Sequence, residues 1–159
     1  MIRQRFIRMF SSCVKTKNDY FKPANIIVNG TKKFNSLLKL NSTYECKNLI
    51  IKNVNLTYSK NNNELIPVSC DSLYLIDCDK NFVYYWIKHF NINYNVMLFT
   101  HPCDPFVIQY LMKEKYNIYL SDRYYKYARS YSNYEKLYIV DINLETKIIN
   151  YINKTCNLA

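Results

Sequence analysis

The chain has 159 residues, with 22 Lys plus Arg against 12 Asp plus Glu for a formal charge of +10, and 49% of it is hydrophobic. That suffices for one domain with a core of its own and is short for two. Its single glycine, Gly30, excludes P-loop and dinucleotide-fingerprint chemistry, which needs two or three glycines where backbone approaches ligand.

The first 22 residues carry Arg3, Arg5, Arg8, Lys15, Lys17 and Lys22 against Asp19, half of the whole excess charge. On a helix, Ile2, Phe6, Met9, Phe10 and Cys13 share one arc of about 100° flanked by the arginines. Three readings stay open for this basic amphipathic arm. It covers an edge of the domain, it is a mitochondrial targeting segment, or it lies on anionic lipid or nucleic acid. Residues 23–159 read as a single α/β domain.

After the arm, Asn25 to Val28 reads as a strand closed by the turn dipeptide Asn29-Gly30. Leu37, Leu38 and Leu40 suggest another short apolar element. From residue 48 the chain has a period. Strand-like runs occur at Leu49–Ile51, Leu73–Leu75, Val96–Leu98, Ile118–Leu120 and Leu137–Ile139, their starts 24, 23, 22 and 19 residues apart. Each is apolar at its first and third positions, as one inward face requires. Residues 58–64, with Asn61-Asn62-Asn63, read as a polar surface loop. Helices fill the other intervals. Asp79 is expected to cap one whose buried face is Phe82, Tyr85, Trp86, His89 and Phe90. Asp104-Pro105 is a cap and first-turn proline for a helix with Val107, Tyr110 and Leu111 inward. Ser121 or Asp122 is expected to cap a shorter helix through Tyr131, and Asn143 a last one burying Ile148, Ile149 and Ile152.

Connections of this length imply parallel pairing with right-handed crossovers. Two architectures fit: a degenerate leucine-rich-repeat-like α/β solenoid, or a compact three-layer α/β sandwich. Each strand can be written apolar-x-apolar-x-x-z, with Val54, Cys78, His101, Arg123 and Ile142 at z. A leucine-rich repeat wants Asn or Cys there, and only Cys78 complies. The blocks LIIKNVNL, SLYLIDCDKNF, FTHPCDPFVIQYL and NIYLSDRYYKY, within residues 45–142, resemble those of uncharacterised α/β repeat proteins of mimivirus-type giant DNA viruses. The richness in Asn, Ile, Lys and Tyr, 72 of 159 residues, is similar to the bias of such AT-rich genomes. The resemblance implies a viral protein made in host cytoplasm and brings no catalytic residues with it.

Six cysteines (Cys13, Cys46, Cys70, Cys78, Cys103, Cys156) follow no signal-peptide core and read as reduced, mostly buried thiols of an intracellular protein. The longest apolar run, Phe82 to Ile87, falls far short of the ~20 residues of a membrane span, so a soluble protein is expected.

Three constellations bear on function. His101-Pro102-Cys103-Asp104 follows a strand end, where parallel sheets place their sites, and Cys103 at a helix start is a candidate nucleophile. Alternating side chains on extended backbone and the lack of a Gly-rich turn weigh against it. Cys70, Cys78, His101 and Cys103 form a zinc-type ligand set with a spacing that matches no knuckle, against ordinary buried thiols. Arg123, Tyr124, Tyr125, Lys126, Tyr127, Arg129, Tyr131 and Tyr134 combine phosphate-gripping forks with stacking rings, against tyrosines simply packed on a sheet. The expectation is a non-enzymatic binding or structural module that engages a protein partner, with no cofactor, no metal and no catalytic residue. The alternatives are a nucleic-acid-associated protein using Arg3, Arg5, Arg8, Arg123, Lys126 and Arg129, or a cysteine- or zinc-dependent enzyme at His101/Cys103.

Overall fold

The computed structural model describes residues 24–55, 65–131 and 133–157. Strand β1 (Asn25–Asn29) leads through helix α1 (Thr31–Leu38) to β2 (Tyr44–Lys52). Then come β3 (Val68–Ile76), α2 (Lys80–Trp86) with a 3-10 turn at Ile87–His89, and β4 (Asn91–Phe99). Helix α3 (Pro105–Lys113), β5 (Asn117–Ser121), a 3-10 helix (Lys126–Tyr131), β6 (Leu137–Val140) and α4 (Ile142–Asn157) complete the order. The strands form one sheet in the order β1-β2-β3-β4-β5-β6, and every neighbouring pair is parallel. The basic arm expected over residues 1–22 and the polar loop expected at 58–64 lie outside the described residues.

The apolar first and third positions of the strand runs fall level across the sheet. Ile26, Leu49, Leu73, Val96, Ile118 and Leu137 form one row, and Val28, Ile51, Leu75, Leu98, Leu120 and Ile139 the next. Crossovers of one hand between strands laid down in sequence put the intervening elements on one face. On that face the two rows pack against Phe34 and Leu37 of α1, Phe82, Val83 and Trp86 of α2, and Val107, Ile108 and Leu111 of α3. Alternate strand residues point the other way. Ile50, Ile76, Met97, Phe99 and Val140 meet Ile148, Ile149 and Ile152 of α4 on the opposite face. Helices therefore cover both sides of the sheet.

Two polar ladders tie neighbouring strands together. Where the strands begin, the Asn48 amide donates to the Asn25 amide oxygen at 2.9 Å. Asn95 donates to the Ser72 hydroxyl at 2.9 Å, and Asn117 to Asn95 at 3.0 Å. These five residues occupy one register row. Where the strands end, the chain turns with positive φ at Gly30 (99°), Asn53 (55°) and Asp77 (50°). Their N–H groups reach the next strand's carbonyls at Lys52 (2.8 Å), Ile76 (3.1 Å) and Phe99 (3.1 Å). Asn and Asp tolerate this left-handed conformation better than other side chains, so one glycine suffices.

Several expected elements change shape. Of the apolar element expected at Leu37, Leu38 and Leu40, the first two end helix α1 and Leu40 lies just beyond its C-cap, Lys39. The Asp79 helix buries Phe82, Val83, Trp86 and Ile87, leaving Tyr85 and His89 half-exposed, because the chain tightens to a 3-10 turn that shifts the inward face. The helix expected over Arg123–Arg129 does not form as such. Ser121 remains in β5, its carbonyl accepts from the N–H groups of Tyr124 and Tyr125 in a turn, and only Lys126–Tyr131 coils, as a 3-10 helix. Burial of the Tyr125 ring (0% exposed) holds that turn against continuation. Helix α4 is capped by Asp141, whose carboxylate accepts from Leu144 N–H at 2.8 Å, and Asn143 lies within the helix. The Asp104-Pro105 start stands as read, with the Asp104 carboxylate accepting from Phe106 N–H at 2.9 Å. Among the described residues no helix is long and apolar enough to cross a membrane.

Candidate binding surface

The carboxyl edge of the sheet carries the residues that the sequence singled out. Arg123 follows β5 and turns back over the edge. Its guanidinium lies 2.7 Å from the Glu145 carboxylate of α4 and 3.8 Å from that of Asp77, and 4.4 Å from the Tyr124 ring centroid. His101, itself exposed, meets the same ring at 5.2 Å. Glu145 is 2% exposed and also accepts from the Ser121 hydroxyl. Arg123 therefore bridges three elements as an internal clamp, and its charge is matched from within the chain. Lys126 is exposed at the start of the 3-10 helix. The side chain of Arg129 lies outside the described residues, as do Arg3, Arg5 and Arg8. Two tyrosines of this stretch, Tyr125 and Tyr134, are anchors. Tyr125 Oη donates to Cys103 Sγ at 3.1 Å, and Tyr134 Oη to the Tyr116 carbonyl at 2.7 Å.

Cys46, Cys70, Cys78 and Cys103 are free and buried. The four-ligand zinc set does not assemble, because Cys70 lies near the start of β3 and Cys78 beyond its end. The length of that strand, at ~3.3 Å per residue, separates them. Among the described residues no group of three or more His, Cys, Asp or Glu is placed to hold a metal. Cys103 is a poor nucleophile despite its place before α3. Burial drives its thiol up to about 11, offset in part by the Tyr125 hydrogen bond, whereas attack needs the thiolate. Burial likewise pushes Cys70 and Cys78 to about 12. Iodoacetamide at pH 8 is therefore expected to leave Cys70, Cys78 and Cys103 unmodified until denaturant is added; peptide mapping that finds any of these three labelled in the native chain within minutes would contradict this. The linkage has a definite sign. An unfolded thiol ionises near 9 and the folded one higher, so this contribution is complete well below 9, begins to fall as the unfolded thiols start to ionise just under 9, and goes on falling until the pH reaches the folded values. Summed over three thiols, the unfolding free energy should fall by about 1 kcal/mol between pH 8 and 9.

A second surface lies on the helical face. Inward placement of Phe82, Val83 and Trp86 on α2 turns Tyr84 and Lys88 outward. Inward placement of Val107, Ile108 and Leu111 on α3 turns Phe106 and Lys113 outward, while Tyr110, expected to face inward, is only half-buried against the core and also lines the surface. Between the two walls runs an open groove of about 620 Å³ floored by Ile87 and Val107. Phe106 is 68% exposed and Tyr84 54%. Lys88 Nζ lies 5.8 Å from the Tyr110 ring centroid, and Tyr85 stacks on His89 at 5.9 Å. Tyr84 is shared with an adjoining hollow of about 410 Å³ where Lys80 and Asp104 stand. This surface is absent from the sequence reading, although its signal was there. Lys80, Tyr84 and Lys88 recur every four residues, and Phe106 and Lys113 stand seven apart, opposite the apolar stripes.

No curated protein and no solved structure matches the chain. A family model matches residues 49–132, from β2 to the 3-10 helix after β5, a span that includes both walls of the groove and just over half of the 159 residues. By that match the chain belongs to the family of unknown function (DUF5845).

Proposed function

We propose that this chain is a non-catalytic α/β repeat module, leucine-rich-repeat-like in strand spacing, that holds a protein partner in the groove between α2 and α3. The observation that carries the reading is the pair of exposed rings, Tyr84 and Phe106, on opposite walls of the large groove. Scattered surface hydrophobes are ordinary, but a cleft lined by several aromatics marks an interaction site, and buried aromatic anchors dominate protein interfaces. The protonated Cys103 thiol and the internally paired Arg123 support binding without catalysis. Four buried free thiols support a reducing, intracellular setting.

The test places a photo-crosslinking benzoylphenylalanine at position 106 of the full-length chain and irradiates it in extract of the native source. Discrete protein adducts that Tyr84→Ala abolishes are expected. Adducts that vanish with nuclease, or a yield no higher than from the same group at Tyr138 on the far face of the sheet, would overturn the reading. A nuclease-sensitive result would favour the nucleic-acid alternative, which also requires retention on RNA or DNA to fall steeply between about 50 and 200 mM salt.

A further inference from the structure

Resting on that reading, we infer that the groove between α2 and α3 takes an acidic amphipathic segment. Such a segment seats apolar side chains between Tyr84 and Phe106 and sets its carboxylates on Lys80, Lys88 and Lys113. The lining fixes both halves of this description. Its floor and walls, Ile87, Val107, Tyr84 and Phe106, offer apolar anchorage from two neighbouring helices, a form of cleft that accepts a helix with anchors at i, i+3, i+4 and i+7. Its charged lining residues, Lys88 and Lys113, are both positive, and Lys80 continues the sign into the adjoining hollow. That hollow also holds an acid, Asp104, one oxygen of which accepts from Phe106 N–H at 2.9 Å, so the unmatched positive charge of the lining is that of Lys88 and Lys113. Like charges across an interface are costly and opposite ones orient the encounter.

Other occupants fit less well. Residues 1–22 of this chain carry six basic groups against one acid, the same sign as the rim. Single-stranded nucleic acid needs a charged track with several open ring faces. Here one face of Tyr85 is stacked on His89, and Tyr110 lies beneath Lys88. The charged rim also supplies three separate ammonium groups and no guanidinium fork.

Peptide display on the full-length chain tests the inference. A random library of about twelve-residue peptides should yield binders rich in Asp and Glu around Leu, Phe or Trp anchors. Affinity of a synthesised representative should fall about tenfold or more on Phe106→Ala, and comparably on the double substitution Lys88→Glu/Lys113→Glu. A version of that peptide with Lys for its acids should prefer the charge-reversed chain, a readout that survives any modest loss of stability. A synthetic copy of residues 1–22 should not compete. Binders that need Phe106 but are neutral or basic would overturn the acidic assignment and leave the binding groove standing. Selection that returns no peptide sensitive to Phe106→Ala or Tyr84→Ala would overturn the groove itself, as would self-association of the chain that those substitutions abolish.

Discussion

Replacing Trp86 with alanine is expected to lower the unfolding free energy by about 3–5 kcal/mol, the range for removing a large aromatic from a close-packed core. Trp86 is 0% exposed. It meets Phe34 of α1 edge-on at 5.1 Å, and Phe34 in turn meets Phe82 at 5.0 Å. The indole thus joins the layer over β1–β2 to the layer over β3–β4, and truncation opens a cavity that neither helix can close without leaving the sheet. Urea denaturation with an unchanged m-value is the measurement. A loss below about 1 kcal/mol would mean that the core on this face is held elsewhere.

The second large effect belongs to the clamp at the carboxyl edge, and it is asymmetric. Arg123→Met should cost about 3 kcal/mol, because it leaves a buried carboxylate without its cation. Glu145→Gln should cost only about 1 kcal/mol. The Arg123 side chain is 37% exposed against 2% for Glu145, so an orphaned guanidinium recovers hydration that an orphaned carboxylate does not. Position tempers the larger cost, since Glu145 lies in the first turn of α4, where the helix favours a negative charge. The double substitution Arg123→Met/Glu145→Leu should recover most of the loss, since apolar pairs of similar volume often replace buried ion pairs without penalty. Equal costs for the two single substitutions would show that Glu145 is hydrated after all.

The periodic part of the fold was legible because strand residues answer to burial alone. Leu49, Leu73, Val96, Ile118 and Leu137 were read as equivalent positions, and they lie in one register row. Asp104-Pro105 was legible because a cap and a proline are local. The helix after β5 was misread because its pattern of Tyr and Arg has no inward stripe. Whether Arg123 faces water or Glu145 depends on α4, more than twenty residues on and across the sheet. Glu145 was invisible for the same reason: nothing local marks a carboxylate that a distant arginine will bury. The polar ladder that a leucine-rich repeat places at the z positions stands instead before the first apolar position of each run from β1 to β5, as Asn25, Asn48, Ser72, Asn95 and Asn117. There an amide meets the neighbouring strand's amide or, at Ser72, a hydroxyl. The groove is not legible locally, because the outward residues of α2 and α3 are unremarkable on their own and become a cleft only when a sheet sets the two helices side by side.

Helix α4 also counts strands. It is tied near its start to β5 through Glu145 and Ser121, and near its end to β2 through Asn153, whose amide oxygen accepts from Lys52 Nζ at 2.9 Å. Eight residues of helix rise about 12 Å, and the three strand spacings from β2 to β5 come to roughly 14 Å. A parallel sheet with two open edges has no intrinsic width, since a further strand can pair at either edge. This diagonal strut supplies one. Duplicating or deleting a strand between β2 and β5 would carry its two moorings out of reach of each other, so growth of the architecture is confined to units added outside them.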